Sequence, residues 1–278
     1  VIADSDIAVQ PDYLEKVAAP LADPRVGIVT CLYVARDVGG FWPRVGALFI
    51  NEWFAPSVRV AHVAGSRRFG FGATLALRRA TLAGIGGFDM LKNCLADDYW
   101  LAENVRLLGL RTVLSRVIVA TDITEPTFAA LWQRETRWLR TIRSINPTGF
   151  AFLFVTFSSP WVLLGAALAW AFSTGAWGGH PVAASVLTLS TGASCAARLL
   201  VHWHSARHSR TFWRDLPLVP LRDTVLAWQW LVSTCGSHVV WRGERMAVAA
   251  QRASANGGTI DDLRTVKTMQ TIKTSDGV

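Results

Sequence analysis

The stretch VIADSDI, from Val1 to Ile7, sets the first expectation about the fold. Three apolar residues lead directly into Asp4 and Asp6, and side chains two apart in an extended chain point to the same face. An acidic turn after a strand is the simplest interpretation. The alternative is a site for Mg²⁺ or Mn²⁺ shared with a substrate phosphate, because ligands of open α/β sheets bind at the carboxyl ends of strands.

Strands alternate with helices over the first half of the chain. Apolar, β-rich runs predict strands at Val26–Val34 and Arg111–Ile123, and helical patterns occur near residues 41–63 and 97–108. This alternation favours an α/β layered domain with a mostly parallel sheet. Because the chain begins without Met, inside a predicted buried strand, we expect it to be incomplete at its N-terminus.

The composition indicates an apolar, basic protein. Of the 278 residues, 51% are hydrophobic and 17% are charged, whereas about 25% is usual for soluble domains. The net charge of +8 suits an anionic partner, such as nucleic acid, a membrane surface or a phosphorylated substrate. The four cysteines lie far apart and include no C-x-x-C pair, which argues against a zinc site or a disulfide framework.

Two apolar stretches in the second half predict membrane spans. Phe150–Phe172 contains no charged residue, and Pro181–Val201 contains only Arg198, near an end where its side chain can snorkel. The connector between them lacks Lys and Arg, whereas residues 202–215 form a basic segment. The positive-inside rule therefore places this segment and the α/β domain in the cytoplasm. A zinc site is not expected there, because the spacing of the histidines does not fit one: His202, His204 and His208.

A third stretch, Thr224–Trp241, is uncharged but contains Gln229 and His238. A re-entrant or interfacial helix is the favoured interpretation, and a third span is the alternative. We therefore expect a multi-pass inner-membrane protein with three regions: an α/β domain at 1–146, a membrane region at 147–245 and a polar tail at 246–278.

Asp97 and Asp98 open the predicted helix in the sequence LADDYWL. Acidic residues stabilise a first helical turn, so helix capping is the favoured interpretation from spacing alone. Capping needs only one of the two residues, however. A carboxyl group beside a second one has a raised pKa and suits a general base, so this role stays open.

The sequence RETRW, from Arg134 to Trp138, lies on a predicted helix just before the first apolar stretch. A solvated basic face is the ordinary interpretation of such a run. At a membrane surface, Arg134 and Arg137 would instead suit a lipid headgroup or a leaving diphosphate, because guanidinium groups bind phosphate oxygens in pairs.

The three motifs together resemble the processive-type family 2 glycosyltransferases. The order is DSD, then LADDY, then RxxRW just before membrane spans, and the stretch Phe71–Leu101 is similar almost throughout to one branch. That branch contains ceramide glucosyltransferase and the hopanoid-biosynthesis glycosyltransferase. The resemblance covers roughly residues 1–245.

The resemblance implies a GT-A fold, which is Rossmann-like, and an inverting transfer from a UDP-sugar to a membrane lipid. It implies that Asp4 and Asp6 bind a divalent cation and the diphosphate, and that Asp98 is the general base. The remaining motif residues would bind the donor diphosphate or the acceptor: Asp97, Arg134, Arg137 and Trp138. The first strand, the first acidic motif and the N-terminal span of the family have no counterpart here, so we expect an incomplete nucleotide pocket.

Two other classes of protein compete with this interpretation. A phosphatase of the haloacid-dehalogenase type also has D-x-D after a strand, but it prefers Thr or Val where this chain has Ala8. A non-catalytic membrane protein would not need the acidic pairs. Nucleic-acid binding is not expected, because the arginines adjoin a predicted span and no known module is present. The donor sugar stays open, as does the acceptor among ceramide, a hopanoid polyol and diacylglycerol.

Overall fold

The computed structural model describes residues 1–91, 94–176, 178–207, 211–241 and 244–248. Its strands are β1 (Ile7–Ala8), β2 (Val26–Asp37), β3 (Leu75–Leu77), β4 (Arg111–Ile123), β5 (His238–Trp241) and β6 (Glu244–Ala247). Its helices are α1 (Tyr13–Ala18), α2 (Phe41–Phe49), α3 (Ala55–Val63), α4 (Arg79–Gly84), α5 (Asp97–Leu107), α6 (Phe128–Ile145), α7 (Pro147–Phe152), α8 (Ser158–Ser173), α9 (Pro181–Ala206), α10 (Phe212–Asp215) and α11 (Leu218–Thr234). A π-helical turn, Ile50–Phe54, joins α2 to α3, and 3₁₀ turns lie at Ala19–Ala22, Asp89–Leu91 and Leu153–Thr156.

The chain folds into two compact units, and each is assembled from separate segments. The sheet unit comprises Val1–Tyr33, Val58–Thr121 and the described part of Ser237–Val278. The helical unit comprises Val34–Ser57 and Asp122–Gly236. The domain boundaries expected from the sequence stay a prediction.

The main sheet has the strand order β1-β4-β2-β3. Ile7 lies opposite Thr121 in the antiparallel pair β1–β4, and Ile28 lies opposite Leu77 in the antiparallel pair β2–β3. Backbone hydrogen bonds from Arg111 to Arg25 and from Val38 to Ile123 flank β2 and β4, which indicates that these two strands run parallel. The expected α/β class is therefore observed, but the described sheet is mixed rather than mostly parallel.

The first three residues were expected to form a buried strand, and they make a single bridge instead. Ile2 and Leu75 exchange two backbone hydrogen bonds of 2.8 Å, whereas Val1 is 59% exposed. The chain then turns, and β1 begins only at Ile7. The acidic residues interrupt the pairing, because their carboxylates favour a turn over the ladder of a buried sheet.

Helices α1 and α5 bury their apolar sides in the sheet unit. Tyr13 and Val17 of α1 pack in one cluster with Val29 of β2. Leu101 and Val105 of α5 belong to a second cluster, which also contains Ile28, Leu75, Ile85 and Ala102. Burial of such side chains stabilises the fold by roughly 1.5–3 kcal/mol each, so packing against the sheet fixes the position of α5 and of its N-terminus.

Helix α6 begins at a sequence-encoded cap in the helical unit. The Thr127 hydroxyl accepts a hydrogen bond from the Ala130 N–H at 3.2 Å, as expected for a threonine N-cap. Leu131, Glu135 and Leu139 recur every four residues and are fully buried. The buried face of α6 therefore carries a carboxylate between two leucines, and this carboxylate needs a cationic partner.

The first predicted span is broken. Residues 147–156 and α8 are separate segments bent by 51°, and only the two together have the length and apolar character of a span. The break precedes Pro160, and proline cannot donate a hydrogen bond to the preceding turn. Helix α9 is long and apolar enough on its own to cross a membrane, and it packs on α8 where Gly165 leaves room for Thr191.

The third predicted helix is present but begins and ends earlier than the expected stretch Thr224–Trp241. Helix α11 ends at Thr234, and residues 238–241 pair with β6 as strand β5. Local apolar composition does not distinguish the end of a helix from a following strand, which explains the error. The described helices that pass as spans do not include α11.

Arg198 was expected to snorkel, but it pairs inside the helical unit. Its guanidinium donates to Asp223 at 2.9 Å and to Glu52 at 2.7 Å. Glu52 also lies 2.6 Å from Nδ1 of His202. Charges removed from water lose much solvation free energy unless they are paired, so these residues hold α9 against α11 and the π-helical turn.

The basic segment expected at 202–215 begins later than predicted. His202 and His204 belong to α9, because the helix continues to Ala206. His208 and Arg210 lie outside the described residues, and so does the predicted tail from residue 249 onward.

Candidate active site

Asp97 and Asp98 lie in the first turn of α5, although neither is its N-cap. The N-cap position is Ala96, which has no side-chain hydrogen bond to offer. The Asp97 carboxylate accepts from the Asp98 N–H at 2.9 Å, and the Asp98 carboxylate accepts from the Tyr99 N–H at 2.7 Å. Both carboxylates thus satisfy amides that a helix leaves free at its start, so the expected stabilisation of the helix start is observed.

Asp98 makes a second contact that helix capping does not require. Its other carboxylate oxygen, Oδ2, accepts from the Gly72 N–H at 2.9 Å. A Cβ at Gly70 would lie 2.5 Å from the backbone oxygen of Asp98. Only glycine permits such an approach of the segment 70–72 to α5, and this approach brings the Gly72 amide to the carboxylate.

The carboxylate of Asp4 also lies beside Gly72. A Cβ placed at Gly72 would meet the two carboxylate oxygens of Asp4 at 3.5 and 3.6 Å and Oδ2 of Asp98 at 3.6 Å. The Ile2–Leu75 bridge explains this position, because antiparallel register places residue 4 opposite residue 73. Gly72 is therefore flanked by two carboxylates from segments far apart in the chain.

The carboxylates raise one another's proton affinity. Burial raises the pKa of Asp98 from 3.8 to about 6, and the charges of Asp97 and Asp4 add to this, against the hydrogen bonds from Tyr99 and Gly72. Burial also raises the pKa of Asp4, with further contributions from Asp6 and Asp97. Asp98 is therefore a stronger base than an ordinary aspartate. Its role as a general base stays a prediction.

The arrangement fits a divalent cation that is shared with a substrate. Asp4 and Asp6, whose charges are close enough for Asp6 to raise the pKa of Asp4, would provide hard oxygen ligands of the kind that Mg²⁺ and Mn²⁺ bind. No group of three or more His, Cys, Asp or Glu in the described residues is arranged to hold an ion alone.

Asp6, the other predicted metal ligand, makes a contact on a different strand. Its Oδ2 accepts from the Thr121 hydroxyl at 3.3 Å, beside the first residue of β1. Asp6 is exposed, and its charge raises the pKa of Asp4. All four predicted acidic residues therefore lie in the sheet unit and interact electrostatically through Asp4.

The predicted arginine motif lies on α6, in the helical unit. Arg134 pairs with Glu125 at 2.6 Å, and its guanidinium carbon lies 5.0 Å from the Trp138 ring centroid. Arg137 is partly buried, and its backbone oxygen accepts from the Thr141 hydroxyl at 2.8 Å. Arg134 and Trp138 are thus held in place by contacts within the helical unit.

Two participants were missed by the sequence analysis. Gly72 contacts Asp98 across 26 residues, and a glycine in the run FGFGA gives no sign of such a partner. Glu135 lies inside the RETRW motif. A charged residue four positions from two leucines of a buried helical face was a usable signal that it needs a buried partner.

A comparison with protein-family models matched residues 1–254 of the chain to the family described as glycosyl transferase family 21. The match includes the acidic residues of the sheet unit and the arginine motif of the helical unit. A comparison with curated proteins found no match.

We expect Asp98→Asn to change how stability depends on pH. The folded-state pKa of Asp98 is raised from 3.8 to about 6, so the folded protein binds a proton more tightly than the unfolded chain. Wild-type stability should then fall as pH rises from about 4 to about 6, by roughly 1–3 kcal/mol from this group. The measurement is the thermal midpoint of the variant minus that of wild type, in EDTA. This difference should increase as pH rises from about 4 to about 6 and should stay constant at higher pH. A difference that stays constant from pH 4 to 7 would contradict the raised pKa.

Proposed function

Because the chain belongs to glycosyl transferase family 21, we propose that it moves a sugar from a UDP-sugar to a hydroxyl group of a membrane lipid. Family membership makes the chain a glycosyltransferase. The observation that best supports the proposed chemistry is the pair of carboxylates at Gly72, where the pKa of Asp98 is raised to about 6. The nucleotide, the hexose and the lipid acceptor are our proposal.

Asp98 is the proposed general base. It takes the proton of the acceptor hydroxyl as the oxygen forms a bond to C1 of the sugar. The bond between C1 and the diphosphate breaks on the opposite side, so the anomeric centre is inverted and UDP leaves. A carboxylate with a pKa of about 6 is ionised at neutral pH and more basic than an ordinary aspartate, which suits this role.

Asp4 and Asp6 would hold the Mg²⁺ or Mn²⁺ ion, and Asp97 would support the acceptor or the donor beside Asp98. When bound, the cation offsets the negative charge that develops on the leaving diphosphate. Following the resemblance, we assign the same task to Arg134 and Arg137. Guanidinium groups suit it because they donate paired hydrogen bonds to phosphate oxygens. Trp138 would bind the donor or the acceptor through its ring.

The acceptor is proposed to be a lipid because of the apolar helices of the helical unit. Helix α9, and the bent pair formed by residues 147–156 and α8, have the length and composition of spans. Ceramide, a hopanoid polyol and diacylglycerol each present a hydroxyl on an apolar body and are the acceptors to test. We propose a multi-pass inner-membrane enzyme whose catalytic residues face the cytoplasm.

Asp98→Asn should lower kcat by on the order of 10²–10⁴-fold and leave the KM for the UDP-sugar little changed, because a general base acts on the acceptor. The assay measures transfer from UDP-glucose or UDP-N-acetylglucosamine to each candidate lipid in detergent. Asp97→Asn removes the neighbouring carboxylate, which is assigned to substrate binding and not to proton transfer, and should lower kcat far less. If Asp98→Asn stays active and Asp97→Asn does not, the base is Asp97 instead.

Removal of the divalent cation should stop turnover, and Asp6→Asn should weaken cation and donor binding together. The physical reason is that the ion and the diphosphate share ligands in this proposal. Calorimetric titration of UDP, with and without Mn²⁺, measures the coupling directly. Full activity of Asp6→Asn in EDTA would end the metal assignment.

Cysteine labelling of intact cells tests the membrane arrangement. The exposed thiols of Cys195 and Cys235 are first replaced by serine. Gly178→Cys, in the connector before α9, should then react with an impermeant reagent from the periplasm, whereas Arg207→Cys should not. The reverse pattern would invert the proposed orientation.

A further inference from the structure

Arg222, on helix α11, has its guanidinium group buried beside the arginine motif. Arg222 is 1% exposed and donates through Nη1 to Oε2 of Glu135 at 2.8 Å. Its Nη2 donates to Oε1 of Gln229 at 3.0 Å. Glu135, at 0% exposure, lies between Arg134 and Arg137 in the sequence, so the ion pair reaches into the motif itself.

An aromatic path leads from Arg222 to the same motif. The guanidinium carbon of Arg222 lies 5.2 Å from the ring centroid of Phe49. Phe49 stacks on Trp138 with ring centroids 5.7 Å apart and ring planes 30° apart. The guanidinium of Arg134 lies over Trp138 at 5.0 Å. Contacts of these kinds each contribute about 0.5–2 kcal/mol.

The two paths close into a ring. Glu135 reaches Arg222 with one carboxylate oxygen, and its other oxygen lies 3.8 Å from Nη2 of Arg134. The motif ring therefore runs through five side chains in order: Arg222, Phe49, Trp138, Arg134 and Glu135. Three of them belong to the motif segment, and the other two come from α2 and α11.

A contribution to the stability of the fold does not by itself explain why these five side chains form a ring. Burial of an ion pair costs about as much solvation free energy as the pair returns, and well-packed apolar side chains often serve equally well. What the ring does provide is a fixed geometry. Trp138 contacts both Phe49 and Arg134. Arg134 is fixed by its 2.6 Å ion pair with Glu125 and oriented further by the charge of Glu135 at 3.8 Å. A planar guanidinium must be held in this way to bind a phosphate through two points.

We infer that Arg222 is a positioning residue, which holds Arg134 and Trp138 in the geometry that binds the leaving diphosphate. The inference rests on the proposed function in one respect, because it takes the arginine motif to contact that diphosphate. Arg222 itself does not contact the substrate. It acts through Glu135 on one side and through Phe49 on the other.

The test measures UDP affinity by calorimetry together with the thermal midpoint. Arg222→Met should weaken UDP binding about tenfold, equivalent to about 1.4 kcal/mol, and should lower the midpoint because Glu135 is left buried and unpaired. Arg222→Lys should restore little of the affinity, since an ammonium group cannot pair with Glu135, bind Gln229 and stack on Phe49 together.

The double variant Arg222→Met/Glu135→Leu separates positioning from stability. It leaves no unpaired charge, so the midpoint should recover, whereas UDP binding should stay weak. Recovery of both would show that Arg222 serves stability only and would overturn the inference.

A matched pair of aromatic variants opens the ring without changing any charge. Phe49→Leu should weaken UDP binding about as much as Arg222→Met does. Phe150→Leu is the control, because Phe150 is 3% exposed and stacks on Trp230 at 6.0 Å outside the ring. It should lower the midpoint and leave UDP binding unchanged. Equal effects of the two variants on UDP binding would contradict the inference.

Arg137→Ala shows which proposal fails if the results are negative. If it weakens UDP binding and the ring variants do not, the motif binds diphosphate and Arg222 has no positioning role. If Arg137→Ala leaves UDP binding unchanged, the role assigned to the motif is wrong, and the inference about Arg222 is wrong with it.

Discussion

The repulsion between carboxylates held at Gly72 is the constraint on which the candidate site depends. Two elements keep them together against it. The Ile2–Leu75 bridge fixes the segment that carries Asp4, and backbone amides of Gly72 and Tyr99 fix Asp98. In both, backbone N–H groups are the donors: those of Ile2 and Leu75 bond main-chain oxygens, and those of Gly72 and Tyr99 bond the Asp98 carboxylate. Folding thus prepares a place where a cation or a proton is favoured.

The sequence predicts the elements of this scaffold well and their pairing poorly. Strand β4 has the predicted bounds, and α5 and α6 lie within one or two residues of theirs. The two predicted strands, β2 and β4, run parallel as expected, but the antiparallel pairing of β1 and β3 was missed. Hydrophobic periodicity shows which face is buried and does not show which strand lies alongside. The break before α8 and the end of α11 were missed because the absence of charged residues continues across both and was taken as the mark of one uninterrupted segment.

The same limit separates the predicted from the unpredicted parts of the candidate site. Asp4 and Asp98 carry a recognisable pattern, since each lies beside a second carboxylate, Asp6 or Asp97, in a motif of the resembled family. Gly72 and Arg222 carry none, because their importance comes from partners that are 26 and 87 residues away. Glu135 lies between these cases. Its position on a buried helical face predicts that a cationic side chain pairs with it, but the sequence does not indicate which arginine that is.

Arg222 and Asp223 are neighbours on α11 that have opposite charges and bind different helices. Arg222 binds Glu135 on α6, whereas Asp223 binds Arg198 on α9 and Ser159 on α8. Successive residues of a helix are about 100° apart around its axis, so the helix has one rotational setting that satisfies both. A single inserted or deleted residue just before this pair would turn both charges away from their partners at once. We therefore expect α11 to tolerate substitutions at its exposed positions far better than any change in its length.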